Sequence, residues 1–301
     1  TGRVDSNVIS RVTSQALEQT IRRLLETPPA TSGMSSTSGP DSLLTQYRFL
    51  RPASESEFRA CFGKYGIKQL IGQGGMGAVF AGRDRTLQRD VAIKIPFASN
   101  GSDDQTCERF LREARAIASI KHENIVTIYS VEEAEGLPFL TMELVEGQSL
   151  VELINERTTL PVRLVLRLAR DAASGLNAAH SQGIIHRDLK PANILREKET
   201  GRFKLTDFGL ARSTLDPSFT ATGVLAGTPE YMSPEQVNQR QTDQRSDLFN
   251  LGIVLYQCCT GISPFHAETV LGTLQRITDH SPVPLIQLEP KTPLWFSALV
   301  M

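Results

Sequence analysis

Residues 186–195 read HRDLKPANIL, and DFG follows at 207–209. No other stretch constrains the chain as tightly. The two segments set Asp188, Asn193 and Asp207 in order, five and then fourteen residues apart. Two carboxylates and an amide in this order suit phosphoryl transfer. That chemistry asks for a carboxylate to orient a hydroxyl, oxygen ligands for Mg2+, and a cation on the phosphates. Either tripeptide alone says little. Both together, with LKPAN between, specify different parts of one site.

Upstream, Ile71–Phe80 reads IGQGGMGAVF. Tyr65, Ile67 and Leu70 precede the glycines, and Val79, Phe80 and Ala81 follow them. That pattern predicts strand, glycine turn, strand. A dinucleotide-binding fold would need a helix after the glycines, so Gly72, Gly74 and Gly77 point to a phosphate-covering hairpin. Alone, the motif is equally an ordinary glycine-rich turn. VAIK follows at 91–94, where the alternation of Val91 and Ile93 predicts a strand carrying Lys94 toward the phosphates. Asp103 or Asp104 can cap a helix through CERFLREARAIASI, with Phe110, Ala114 and Ile117 as its apolar stripe. Glu113 lies on or beside that stripe. A carboxylate there is costly unless paired, and Lys94 is the expected partner.

Together with HENIVTIY, MELVEG, GTPEYMSPE and RSDLFNLG, these segments resemble the eukaryotic-like (Hanks-type) serine/threonine protein kinases. GQGGMG, LQRDVAIK and RFLREAR are similar to bacterial members. The resemblance covers about residues 64–301. It implies an α+β, two-lobed protein-kinase fold. A small antiparallel lobe of five strands and one helix would occupy 64–142, and a larger, mainly helical lobe 143–301. ATP would bind between them with Mg2+, or with Mn2+ in its place, and the γ-phosphate would pass to Ser/Thr hydroxyls of protein substrates.

The same resemblance assigns roles. Asp188 is the catalytic base, Lys190 steadies the transferring phosphate, and Asn193 and Asp207 hold metal. Ile71, Gly72, Gly74, Gly77, Val79, Ala92, Lys94 and Glu113 belong to the ATP site. Met142 stands behind the adenine, and Glu143 and Val145 offer it a backbone carbonyl and amide. His186 and Phe208 pack with Ile117 and Ile128 as an apolar spine. Thr228 bonds the base and the lysine, and Asp247 holds the catalytic-loop backbone. Arg187 calls for an anion, which a phosphorylated activation loop supplies. Thr220 and Thr222 resemble threonines that bacterial relatives phosphorylate, with self-association for trans-autophosphorylation. Ser and Thr are common in any loop, however. A pseudokinase or nucleotide-binding scaffold is the alternative, and a small-molecule kinase on a related fold is a third reading. Retention of Lys94, Asp188 and Asp207 disfavours the former, and GTPEYMSPE, a peptide platform, disfavours the latter.

With 301 residues and 40% hydrophobic content, the chain can bury cores in more than one unit. A net charge of −1 gives no basic footprint for nucleic acid. Cys61, Cys107, Cys258 and Cys259 form no CxxC pair and read as reduced thiols in a cytoplasmic setting. No apolar stretch reaches the ~18 residues of a membrane span, and a membrane anchor outside this fragment stays compatible with the sequence. Ile9, Val12, Ala16, Leu17, Ile21, Leu24 and Leu25 predict an amphipathic helix within 1–27, of no assigned role, stopped by Pro28 and Pro29. Residues 28–63 read as a flexible linker and lead-in, in which Tyr47, Phe49, Leu50 and Phe58 are candidates to pack on the small lobe. The start at Thr1 and the ending LWFSALVM read as a fragment with its large lobe incomplete. The arginine that the resemblance would set against Glu235 has no counterpart, so Glu235 is expected to be unpaired or re-paired.

Overall fold

The structure, a computed structural model, describes residues 40–74, 77–97, 112, 114–208 and 229–301. The amphipathic stretch 1–27, Glu113, Thr220, Thr222 and Thr228 lie outside the described residues.

Period-two alternation builds the small lobe. Strands β1 (Ala60–Phe62), β2 (Tyr65–Gly74), β3 (Gly77–Asp84), β4 (Arg89–Pro96), β5 (Ile128–Ala134) and β6 (Leu137–Met142) form one antiparallel sheet in the order β1-β2-β3-β4-β6-β5. Val91, Ile93 and Ile95 enter one buried cluster with Phe80, Phe62 and Phe139. The intervening Ala92 enters another, with Leu140 and Met142. Each face thus has its own apolar partners, as alternation requires.

Five strands were expected, and six are present among the described residues. The additional strand, β1, turns back on β2 through Gly63 and Lys64, pairing Phe62 with Tyr65. Phe62 then packs edge-on against Phe139 at 5.0 Å. A short helix, α1 (Pro40–Gln46), precedes it; Leu43 of α1, with Tyr47 and Leu50 from the turn after it, joins the same cluster. Burial of each such large apolar side chain stabilises by about 1.5–3 kcal/mol. Leu43, Tyr47, Leu50, Phe58, Ala60 and Phe62 are all buried, while most of 51–57 is exposed.

The large lobe is mainly helical. Helix α2 (Leu150–Arg157) starts at Ser149, whose hydroxyl accepts the Glu152 amide while the Glu152 carboxylate accepts the Ser149 amide. Helix α3 (Val162–His180) buries Val165, Leu168, Ala172, Leu176 and Ala179, a stripe at steps of three and four. After α4 (Pro234–Val237), helix α5 (Gln244–Thr260) runs buried through the lobe, capped by Asp243. Helices α6 (Val270–Asp279), α7 (Leu285–Leu288) and α8 (Leu294–Val300) follow. Phe296 is fully buried in the lobe core, whereas Leu294 and Leu299 are exposed.

A second sheet of three short strands lies at the junction: β7 (Gly147–Ser149), β8 (Ile194–Glu197) and β9 (Phe203–Leu205). Ile194 pairs with Leu205 in antiparallel register. That register sets the residues just before β8 beside those just after β9.

Candidate active site

The β8–β9 register brings the two halves of the motif together. Asn193 ends a 3-10 turn (Pro191–Asn193) directly ahead of β8, and Asp207 follows β9 by two residues. The Thr206 amide donates to the Asn193 carbonyl at 3.0 Å. His186 closes the link from the other side, its Nε2 donating to the Thr206 carbonyl at 3.1 Å.

Around Asp188 the contacts converge. Lys190 Nζ lies 2.9 Å from Asp188 Oδ2. Asn193 Nδ2 donates to the Asp188 carbonyl at 2.8 Å and to Oδ2 at 3.2 Å. The amide nitrogen is thereby committed, which turns Asn193 Oδ1 into the end that can meet a cation. Across the site, Lys94 Nζ pairs with Asp207 Oδ1 at 2.8 Å. Lys94 is almost wholly buried, while Asp207 keeps one side open to solvent. The expected pairing of Lys94 with Glu113 falls outside the described residues; Asp207 is the partner of Lys94 among them.

The catalytic segment is held in an unusual backbone shape. Arg187 and Asp207 both sit in the left-handed region, with φ of 62° and 59°. For a residue such as Arg187 this costs about 1–2 kcal/mol that its surroundings must offset, whereas Asp enters this region more readily. For Arg187 the fixing group is Asp247, fully buried on α5. Asp247 Oδ1 accepts the Arg187 amide at 2.8 Å, and Oδ2 accepts the His186 amide at 2.8 Å and His180 Nε2 at 2.7 Å. Gln236 adds a further tie, donating to the Arg187 carbonyl at 2.6 Å. His186 is fully buried against Phe208, ring centroids 4.4 Å apart, and burial holds its pKa below the ordinary value.

Above these groups lies the hairpin β2–β3. Val79 stands opposite Lys94 in the register, and Gly74 opposite Gly77. Gly77 has φ of 151° and a Cβ there would come within 2.4 Å of the Ile95 carbonyl, so no side chain fits. At Gly74 a Cβ would meet no described atom within 4 Å. Gly74 thus faces open space. Ile71 is exposed on the outer edge of the hairpin. Val79, Val145 and Leu195 pack against the cluster of Ala92, Leu140 and Met142, forming an apolar slot. Leu195 from β8 completes it from the large lobe and was not singled out from sequence, although it lies two residues after Asn193 on the strand the motif leads into. Ile117, Ile128, Met142 and Phe208 line a small cavity behind the slot.

Beside the slot, Glu143 donates its amide to the Thr127 carbonyl at 2.9 Å. Its carboxylate accepts the Thr127 amide at 3.2 Å and pairs with the mostly buried Lys204 of β9. Glu235 is re-paired: its carboxylate accepts the Ser246 hydroxyl. Lys204, His180 and Gln236 lie 61, 67 and 49 residues from the groups they hold, outside the motifs read from sequence, whereas Ser246 belongs to RSDLFNLG, 11 residues from Glu235.

Residues 65–297 match the protein kinase domain family. The chain is 41% identical over 230 residues to the serine/threonine-protein kinase pkn3 of Myxococcus xanthus, covering 73% of this chain and 42% of that protein. It is 41% identical over 209 residues to PknL of Mycobacterium tuberculosis, covering 69% and 52%. PknB of Mycobacterium leprae is 38% identical over 226 residues, covering 73% and 36%. The chain thus spans about half or less of the length of these curated relatives. Among solved structures, a mutant of the Mycobacterium tuberculosis PknI kinase domain superposes with a TM-score of 0.60 at 25% identity, covering 79% of this chain and 85% of that one. The fold and site define a protein kinase domain. The chain belongs to that family, in its Hanks-type branch with bacterial serine/threonine kinases.

Proposed function

We propose that the protein transfers the γ-phosphate of ATP to serine and threonine hydroxyls of protein substrates. One observation carries the reading: Asp188, Lys190 and Asn193 are bonded into a single constellation that the Thr206–Asn193 bond joins to the Lys94–Asp207 pair. Asp188 orients the attacking hydroxyl and takes its proton. Lys190, on the same carboxylate, neutralises charge that builds on the transferring group. Lys94 contacts the nucleotide phosphates, which the open backbone under Gly74 admits closely. The adenine lies in the apolar slot, with the Glu143 carbonyl and Val145 amide on its edge.

The residues fit a divalent cation. Among the described residues no group of three or more acidic, His or Cys side chains forms a metal cluster. Mg2+ uses one or two carboxylates plus phosphate oxygens and water, and Asp207 with Asn193 Oδ1 supplies that share. Mg2+, or Mn2+ in its place, would neutralise the phosphate oxygens when bound. Autophosphorylation at Thr220 and Thr222, through self-association, would supply the anion for Arg187. No described helix is long and apolar enough to cross a membrane. Cys258 and Cys259 are buried thiols, suited to a cytoplasmic setting.

The test is transfer itself. Full-length protein with labelled ATP and Mg2+ should phosphorylate itself at Ser/Thr sites, mapped by mass spectrometry. Asp188→Asn should lose at least about 10³-fold in kcat, with nucleotide binding kept. An Asp188→Asn protein working at the wild-type rate would sink the assignment.

A further inference from the structure

The family match begins at residue 65, yet ordered structure begins earlier, and it bears on the glycine hairpin. Resting on the kinase reading above, we propose that α1 positions the hairpin over ATP, with Tyr47 and Gln46 as positioning residues for nucleotide binding.

Tyr47 is almost fully buried. Its ring meets Phe80 edge-on at 5.1 Å and stacks on Phe97 at 6.4 Å. Phe80 lies on β3, one residue after Val79. Because side chains alternate, Val79 enters the slot cluster while Phe80 enters the cluster with Tyr47. The strand that roofs the nucleotide site is therefore clamped from its far face by α1. Phe97 follows β4 and lies three residues beyond Lys94. Nearer the tip, Gln46 Nε2 donates to Gln73 Oε1 at 3.2 Å, and Gln73 adjoins Gly74.

The clamp has a firm base. Leu43 and Leu50 are buried beside Tyr47. Arg51 pairs with Cys61 through two backbone bonds of 2.9 and 2.8 Å, and its guanidinium meets Glu135 at 2.7 Å. So the stretch that follows α1 is tied to β1 and to the β5–β6 turn through Arg51, while Gln46 at the end of α1 and Tyr47 just beyond it touch β2 and β3. The Tyr47 hydroxyl is buried with no hydrogen-bond partner among the described residues. The ring alone does the clamping.

A clamped hairpin enters binding with little freedom left to lose; a released one must be ordered by the ligand. That term acts equally on bound ATP and on the transition state, so it moves KM and not kcat. With the full-length protein, Tyr47→Ala should raise KM for ATP, and Kd for MgADP by calorimetry, about fivefold, a change on the scale of one aromatic pair. kcat and the KM for a peptide substrate should stay within about twofold. Tyr47→Phe should restore wild-type values, which a role for the hydroxyl would not allow. Amides of residues 71–80 should exchange faster in Tyr47→Ala. If Tyr47→Ala does not fold, Tyr47→Leu carries the same test. A folded variant with wild-type nucleotide affinity overturns the proposal while wild-type transfer keeps the kinase reading intact. A loss confined to kcat also overturns it. Wild-type protein that binds no MgADP overturns both.

Discussion

Asp247 offers the sharpest perturbation, because one buried carboxylate holds three donors. It is fully buried and accepts the His186 and Arg187 amides and His180 Nε2. In Asp247→Asn the shape is kept, but an NH2 group replaces one oxygen. That group must face a backbone N–H or the imidazole N–H, donor against donor. A hydrogen bond to a charged group contributes about 1.5–3 kcal/mol, and an orphaned buried donor costs about 1–3 kcal/mol. The loss is therefore about 3–5 kcal/mol, a large share of a total near 5–15 kcal/mol. The damage should not stop at stability. Arg187 holds its left-handed backbone against these bonds, and Asp188 is the next residue. A shift of about 1 Å in a reacting group costs about 10²-fold in rate. Urea unfolding followed by circular dichroism gives the first quantity. Steady-state kinetics at a temperature where the variant is folded gives the second. Equal urea midpoints, with kcat within about threefold of wild type, would refute the reasoning.

Two further outcomes follow from buried groups. His186 has its pKa lowered by burial, so the unfolded state takes up its proton first as pH falls. Its contribution to stability is complete above the unfolded value of about 6.5 and is lost as pH drops below it, by up to about 1.4 kcal/mol per pH unit. The stability difference between wild type and His186→Phe should shrink from about pH 7 to pH 5; a difference constant across that range would contradict the burial effect. Lys204 and Glu143 tie β9 to the segment beside the slot, and both are largely sheltered. A double-mutant cycle of Lys204→Met with Glu143→Gln should give a coupling of about 1–3 kcal/mol, between exposed and buried pairs. Additive effects would mean that the pair does not act as a unit.

What the sequence revealed depended on the range of the forces. HRDLKPAN and DFG could be read because their spacing is local, and the β8–β9 register converts that spacing directly into proximity. VAIK could be read because alternation is visible over four residues. The partners of the supports could not. The resemblance marked Asp247 as holding the catalytic-loop backbone, but its bond to His180 spans 67 residues, and that of Lys204 to Glu143 spans 61. Neither pair leaves a periodic trace. Tyr47, Phe49, Leu50 and Phe58 invited a packing reading, but their irregular spacing fits neither period, so β1 and α1 went unassigned. Tyr47, Phe49 and Leu50 take their order from tertiary burial with Phe80 and Phe139, and Phe58 is buried over Gly66. The partner that Glu235 has here, the Ser246 hydroxyl, is neutral and carries no charge pattern to betray it.

The small-lobe sheet joins these strands of argument. Its two faces serve different ends, and residue parity decides which end a side chain serves. Val79, Ala92, Leu140 and Met142 belong to the slot cluster, whereas Phe80, Val91, Ile93, Ile95 and Phe139 belong to the cluster that α1 and β1 cover. Neighbours one position apart on β3 and β4 are thus separated in function though adjacent in sequence. On the function proposed above, a side chain on the slot face acts on the nucleotide by contact. One on the far face acts through the shape of the strand and must first move backbone. Lys94 sits at the slot-face parity of β4, between Ile93 and Ile95, whose full burial on the opposite face fixes the strand that carries it. The chemistry proposed for Lys94 therefore rests on packing on the opposite face of the strand, and Leu43, Tyr47, Leu50 and Phe62 supply part of that packing.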